Sequence, residues 1–219
     1  MTQDSEDQPT EYRASHPGGI DVSLLRWCLR YPKWPVILLG GALGFAVAAV
    51  LVHWSLWLLA VPFAACFVLY RIRIRSHFQN GNASPGRVIS TSPLLIAVRT
   101  DLTMGRGYFP AIRVIREKPS SRWPEPLEVG QQVATCALYH KAGEDDGTHW
   151  DTFDPRPVEP VASDPQAAAS LLASFPPHQW DQLDRGIGEL GSPTEGLHRL
   201  ELGKSDWARA SSMAPPTFD

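Results

Sequence analysis

WPVILLGGALGFAVAAVLVHWSLWLLAVPFAACFVLY, residues 34–70, carries no Asp, Glu, Lys or Arg, and its one imidazole, His53, stands near the middle. As a single helix these 37 residues would reach roughly 55 Å at about 1.5 Å per residue, against a hydrocarbon core of about 30 Å. Two crossings of about 17 residues, roughly 26 Å apiece, use the whole stretch. The expected layout is a helical hairpin, with one transmembrane helix over 34–52, a turn over 53–55 formed by His53, Trp54 and Ser55, and a second helix over 56–70.

Basic residues flank both ends: Arg26, Arg30 and Lys33 precede the first span, and Arg71, Arg73 and Arg75 follow the second. By the positive-inside rule both flanks, and so both termini, are expected in the cytoplasm. Trp34, Trp54, Trp57 and Tyr70 stand near the span ends, where amphipathic rings settle at headgroup level. Gly40, Gly44 and Ala48 recur every four residues in the first span, and Ala60 and Ala64 repeat the interval in the second. Small residues so spaced let helices approach closely. The tethered neighbour is the expected partner, and a homo-oligomer built through the hairpin is the other use of the stripe. Pro62 is a candidate kink whose bonding cost is met by local adjustment. No ionisable group lies at mid-depth, which argues against transport by one copy and leaves only an oligomeric pore.

Mean hydropathy is −0.17 and 20% of residues are charged, an average that conceals the hairpin. From Ser76 onward there are 13 Lys and Arg against 18 Asp and Glu, a net charge of −5. Such a balance excludes ordinary nucleic-acid binding by counterion release. Cys28, Cys66 and Cys136 lack C-x-x-C spacing and supply no metal or redox motif, and their odd number argues against an oxidising compartment. Residues 1–20, MTQDSEDQPTEYRASHPGGI, have the composition of a disordered arm and lack the positive n-region of a cleavable signal, so the first span is expected to stay as an anchor. A basic juxtamembrane segment (21–33) leads into the hairpin and a connector (71–85) leads out of it.

The remainder divides into a cytoplasmic β-rich domain over 86–203 and a loosely ordered tail over 204–219. Short apolar runs beginning at Gly86 and Leu94, separated by Ser92-Pro93, predict two strands about a bend. Alternation around Ile112 and Val114 predicts a third, and Val129-Gly130 a turn feeding a fourth through Cys136 and Tyr139. Trp150, Phe153 and Val158 lie on a Pro-interrupted path suited to a sheet edge. Asp164-Pro165 is an N-cap and N1 pair opening a short helix. Trp180, Leu183, Ile187 and Leu190 fall on one face of a second helix that ends at Gly191, and 196–202 offers a last strand. The expected fold is a membrane-anchored α+β protein, a two-helix hairpin followed by a small β-barrel or sandwich with two C-terminal helices.

The runs NASPGRVISTSPLLIAVRTDLT, VGQQVATCALY, HWDTFDPRPVEPVASD and GLHRLEL, taken together over residues 80–202, resemble a bacterial membrane-associated family known as a domain of unknown function. The resemblance implies a bacterial cytoplasmic membrane as location and supplies no activity, cofactor or functional residue.

Among candidate sites, His140, Glu144, Asp145, Asp146, His149, Asp151 and Asp154 form the densest polar cluster. Carboxylates with imidazoles could hold a divalent cation or exchange protons, but no H-E-x-x-H or EF-hand spacing is present, and acidic residues are ordinary turn formers in a Gly-bounded loop. Gly105-Arg106-Gly107 is an incomplete phosphate-loop fragment, better suited to a hairpin turn, and Ser90, Thr91 and Ser92 lack a nucleophile elbow. Arg71, Arg73 and Arg75, with Arg99, Arg106, Arg113, Arg116, Lys118 and Arg122, could face an anionic leaflet or form an ordinary solvated strand face. Trp150, Trp180 and Tyr139 suit the domain's own core, while Trp123, between Arg122 and Pro124, is the aromatic most open to a partner. The expected function is a non-enzymatic protein-interaction module at the inner membrane face, with lipid and an unidentified protein as partners and no cofactor. The alternative is a small membrane-tethered metal-dependent enzyme using the cluster from His140 to Asp154.

Overall fold

The computed structural model describes residues 14–104, 108–118, 123, 126–141, 149–192 and 194–200. Helix α1 (Leu24–Arg30) is followed by α2 (Lys33–Leu51), a 3-10 turn at Trp54–Leu56, and α3 (Trp57–Asn80). Then come β1 (Asn82–Thr91), β2 (Leu94–Asp101), β3 (Pro110–Glu117), β4 (Gln132–His140) and β5 (Thr152–Pro157), and last α4 (Pro165–Ser174), α5 (Pro177–Leu190) and β6 (Gly196–Arg199).

α2 and α3 are long and apolar enough to cross a membrane, and only 11% and 6% of their most apolar windows are buried within the molecule. They pack on each other through a close approach at Gly41, where a Cβ would meet the Phe63 ring at 2.5 Å. Ala49 and Ala60 are buried at the same contact, whereas Gly40, Gly44 and Ala64 are exposed, with open space where a Cβ would stand on either glycine. The glycine stripe expected to seat the second helix therefore lies one residue out of phase, a rotation of about 100° on a helix.

All neighbouring strands are antiparallel, in the order β5-β4-β1-β2-β3-β6. β1 pairs with β4 along Asn82–Arg87 and with β2 from Gly86 onward, so the two ladders overlap only at Gly86 and Arg87. Pro85 can occupy this otherwise central strand because it precedes the β2 ladder. A Cβ at Gly86 would stand 3.0 to 3.3 Å from Val133, Ile96 and Thr135, so its absence lets the sheet curl tightly there. The curl brings β3 and β5 together although three strands separate them: the Arg113 guanidinium donates to Thr152 Oγ1 at 2.6 Å. The sheet is thus a half-barrel rather than a closed barrel or two-sheet sandwich. Its concave face is filled by Val88, Ile96, Val98, Leu102, Val133 and Phe153. Trp123 belongs to this inner core and is 7% exposed, which overturns its expected role as a surface aromatic.

The convex face carries the helices. Ala97, Ile112, Val114, Ala134 and Cys136 of the sheet meet Trp27 of α1, Ile74 and Phe78 of α3, Ala168 and Leu171 of α4, and Trp180 and Leu183 of α5. The Asp164 cap forms as expected, accepting from Gln166 N–H at 2.9 Å, and the α5 apolar face is seated as its spacing predicts. β5 and β6 are the two edges, as the prolines of one and the shortness of the other suggest.

Two expected boundaries are corrected. The supposed connector 71–85 is helix to Asn80 and strand from Asn82, joined by Gly81 alone. Within the supposed disordered arm, residues 14–20 are strapped to the domain: Ala83 N–H donates to His16 O at 2.7 Å, Gly18 N–H to Gly81 O at 2.9 Å, and Ile20 is buried. Backbone groups left unpaired at the end of α3 and the start of β1 recruit this segment. Residues 1–13 and 201–219, which include the expected tail, lie outside the described residues.

Candidate functional site

A cavity of about 480 Å³ opens where the apolar helices meet the half-barrel, lined by residues from α1, the start of α2, the middle of α3, the end of β3, and β5. α1 forms its back. Ser23 caps the helix by accepting from Arg26 N–H at 3.4 Å, and the i, i+3 spacing turns Trp27 and Arg30 to the same buried face. Trp27 packs edge-on against Phe78 at 5.7 Å and donates Nε1–H to Tyr70 Oη at 3.0 Å, tying α1 to the base of α3. Tyr31 and Pro32 then turn the chain into α2, bringing Lys33 and Trp34 to the mouth.

A buried ion pair stands in the wall. Arg30 meets Glu117 Oε2 at 2.6 Å, with side chains only 2% and 4% exposed, and Tyr31 Oη donates to Glu117 Oε1 at 3.0 Å. Burial, then the Glu117 charge, push the Tyr31 phenol upward, so it remains a donor at neutral pH. Arg156 lies 5.5 Å over the Tyr31 ring and pairs with Asp154 at 2.9 Å. His77 donates Nε2–H to Cys136 O at 2.9 Å, and burial, the largest influence, lowers its pKa and favours the uncharged ring.

The lining holds six cationic side chains, Arg30, Lys33, Arg73, Arg116, Lys118 and Arg156, against the carboxylates Glu117 and Asp154. Both carboxylates are engaged by guanidinium groups, and Arg116 pairs outside with Glu195 at 3.0 Å. Lys33, Arg73 and Lys118 have no carboxylate partner among the described residues, and Arg30 Nε is buried without a hydrogen-bond acceptor. A concave site with this surplus attracts an anion, and neither bound carboxylate is placed to act as a free base.

The basic residues singled out from the sequence divide. Arg73 and Arg116 line the cavity; Arg71 and Arg75 are exposed on α3, Arg75 lying 3.5 Å from Asp21. Arg113 faces into the half-barrel toward Thr152 and is unavailable to a membrane surface. Arg99 is half-buried on β2, where burial pushes its guanidinium down to about 10. Arg106 and Arg122, with the Gly105 to Gly107 turn, lie outside the described residues.

The acidic cluster is not assembled among the described residues. His140 and Asp154 are on adjacent strands, but Asp154 is held by Arg156. His149 stacks on Phe109 at 4.4 Å, and Asp151 N–H donates to His140 O at 3.2 Å. Glu144, Asp145 and Asp146 lie outside the described residues, and no group of three or more potential ligands occurs among the rest.

Arg30, Tyr31, Glu117, Asp154 and Arg156 were not joined by sequence reasoning as one site. The available signal was Glu117 standing alone among Arg113, Arg116 and Lys118, a carboxylate that a basic run would hold. Its actual partner comes from 87 residues away.

A family model described as "Protein of unknown function (DUF3239)" matches residues 71–190, which begin midway along α3 and run to the end of α5. A solved structure described as "a putative membrane protein from Corynebacterium diphtheriae" is 14% identical, with a TM-score of 0.44, over 54% of this chain and 100% of that one. Comparison with curated proteins gives no match.

Proposed function

The chain belongs to the DUF3239 family of proteins of unknown function, and on that premise we propose that it is a non-enzymatic module anchored in a bacterial cytoplasmic membrane. In this proposal α2 and α3 cross the bilayer as a hairpin, both termini are cytoplasmic, and the half-barrel offers a protein-binding surface at the inner face. The supporting observation is the fusion of anchor and domain: α3 is apolar at its start, places Ile74 and Phe78 in the domain core at its end, and passes into β1 through one glycine. Such a joint holds the domain at a set height and orientation, which suits a recognition surface better than a freely swinging catalytic unit.

The exposed apolar surface supports lipid as the solvent of the hairpin. Eight large apolar side chains on α2 and seven on α3 are exposed. Left in water they would forgo roughly 20 kcal/mol or more of burial, beyond the 5 to 15 kcal/mol net stability of an ordinary domain.

Thiol labelling in intact cells tests the topology. The native thiols give a low background: Cys136 is buried, burial raises the pKa of Cys28, and Cys66 is on the apolar part of α3. A membrane-impermeant maleimide should reach Ser55→Cys from outside and Ser76→Cys only after permeabilisation. Labelling of both sites from the same side would sink the hairpin. The protein-binding part is tested by in-cell crosslinking of the tagged chain, where a failure to enrich any one partner over a hairpin-only control counts against it.

A further inference from the structure

We propose that the cavity between α1, α3 and β5 binds the phosphate-bearing headgroup of an anionic phospholipid. This rests on the membrane placement above, because that placement sets the mouth at headgroup level. Lys33 and Trp34 open α2, and Tyr70 and Arg73 mark the point where α3 leaves its apolar part; all four line the cavity. Trp34 is 54% exposed with Lys33 Nζ 5.8 Å from its ring, an amphipathic pair of the kind that settles between acyl chains and headgroups.

The interior supplies the chemistry. Arg30, Lys33 and Arg73 from the helices meet Arg116, Lys118 and Arg156 from a region of net charge −5 around one hollow, and the hollow's two carboxylates are spent on Arg30 and Arg156. Arg73, Lys118 and Lys33 are left to meet an anion, with the buried Arg30 guanidinium in the wall behind them. Burying the Arg30–Glu117 pair is poor value as stabilisation, since its desolvation offsets its attraction. It is better suited to fixing a guanidinium in place before the ligand arrives. A volume of about 480 Å³ accommodates a glycerophosphate-sized group. A soluble phosphate ester carries the same anionic chemistry, but lipid is the source this mouth selects, because entry from water would leave the exposed Trp34 and the apolar ends of both helices without a role.

The test uses the full chain in neutral detergent micelles, with bound lipid counted by native mass spectrometry during titration with dioleoyl phosphatidylglycerol or dioleoyl phosphatidylcholine. One equivalent of phosphatidylglycerol should bind in preference to phosphatidylcholine. Arg73→Gln combined with Lys118→Gln should weaken it by about 30-fold, and Arg71→Gln combined with Arg75→Gln, outside the cavity, should leave it nearly unchanged. Equal retention of both lipids, or loss in the Arg71/Arg75 variant alone, would overturn the site. Binding of glycerol 3-phosphate as tight as that of the lipid would overturn the lipid assignment. Both variants replace exposed side chains, so each should keep the wild-type melting temperature. The measurement in micelles is independent of the Ser55 labelling, so either conclusion can fail without the other.

Discussion

Replacing Arg30 by Met puts the buried pair to a quantitative test. The substitution keeps the apolar stem of the side chain while removing the cation 2.6 Å from Glu117 Oε2, leaving a carboxylate only 4% exposed with the Tyr31 hydroxyl as its hydrogen-bond partner and Arg156 as a more distant cation. Uncompensated buried charges of this kind cost about 3 to 5 kcal/mol. For a domain of this size that lowers the unfolding temperature by on the order of 10 °C. Glu117→Leu should cost a similar amount, because it strands the guanidinium. The double variant should recover most of the loss, leaving about 1 kcal/mol for the Tyr31 hydroxyl deprived of its acceptor. Thermal unfolding of the full chain in micelles, followed by tryptophan fluorescence, gives all four corners of the cycle. If each single variant costs under about 1 kcal/mol and the two add, the pair behaves as an exposed one. The cavity wall would then be solvated, and Arg30 would not be held in place before a ligand binds.

Three other outcomes can be checked on the same preparation. Burial lifts the Glu159 carboxyl from 4.5 to about 7, while its Oε1 accepts from Ala134 N–H at 2.7 Å. A raised folded-state pKa gives stability that is full below the unfolded value and is lost as pH climbs to the folded one. Glu159 should therefore contribute a fall in unfolding temperature between pH 4.5 and about 7, opposed by His77, whose lowered pKa stabilises the fold as pH rises. Glu159→Gln should remove the Glu159 part, so that the variant gains on the wild type as pH climbs through that range. Gly41→Leu would drive a side chain into the Phe63 ring and should destabilise the helix pair by about 1 to 3 kcal/mol, whereas Gly44→Leu, facing open space, should leave thermal unfolding of the monomer unchanged; equal effects would place the helix contact elsewhere. Calorimetric titration with Zn²⁺ or Mn²⁺ should show no tight stoichiometric binding sensitive to His149→Ala with Asp151→Ala, and such binding would revive the metal-dependent alternative.

Local pattern carried far in some segments and misled in others for identifiable reasons. The strands through Ile96, Val114 and Cys136 were legible because alternation is a property of neighbouring residues, and α5 because Trp180, Leu183 and Ile187 repeat at helical spacing. The end of α3 was misread since RIRIRSHFQN is polar by composition, although Tyr70, Ile74 and Phe78 already mark one helical face at four-residue intervals. Residues 14–20 look unstructured for the same reason, and only the unpaired backbone beside them gives them a place. Trp123 was misjudged from its charged and prolyl neighbours, whereas the curl of the sheet decides its burial.

By itself the sequence determined the two long apolar helices, the antiparallel strands and the capped helices that follow, since length, period and caps are written in consecutive residues. Tertiary structure decided the half-barrel, the glycine that lets the apolar helices meet, and the cavity at their base. Arg30, Arg73, Glu117 and Arg156 lie in four separate stretches of the chain, and a surplus of positive charge in one hollow exists only after long-range packing brings them together.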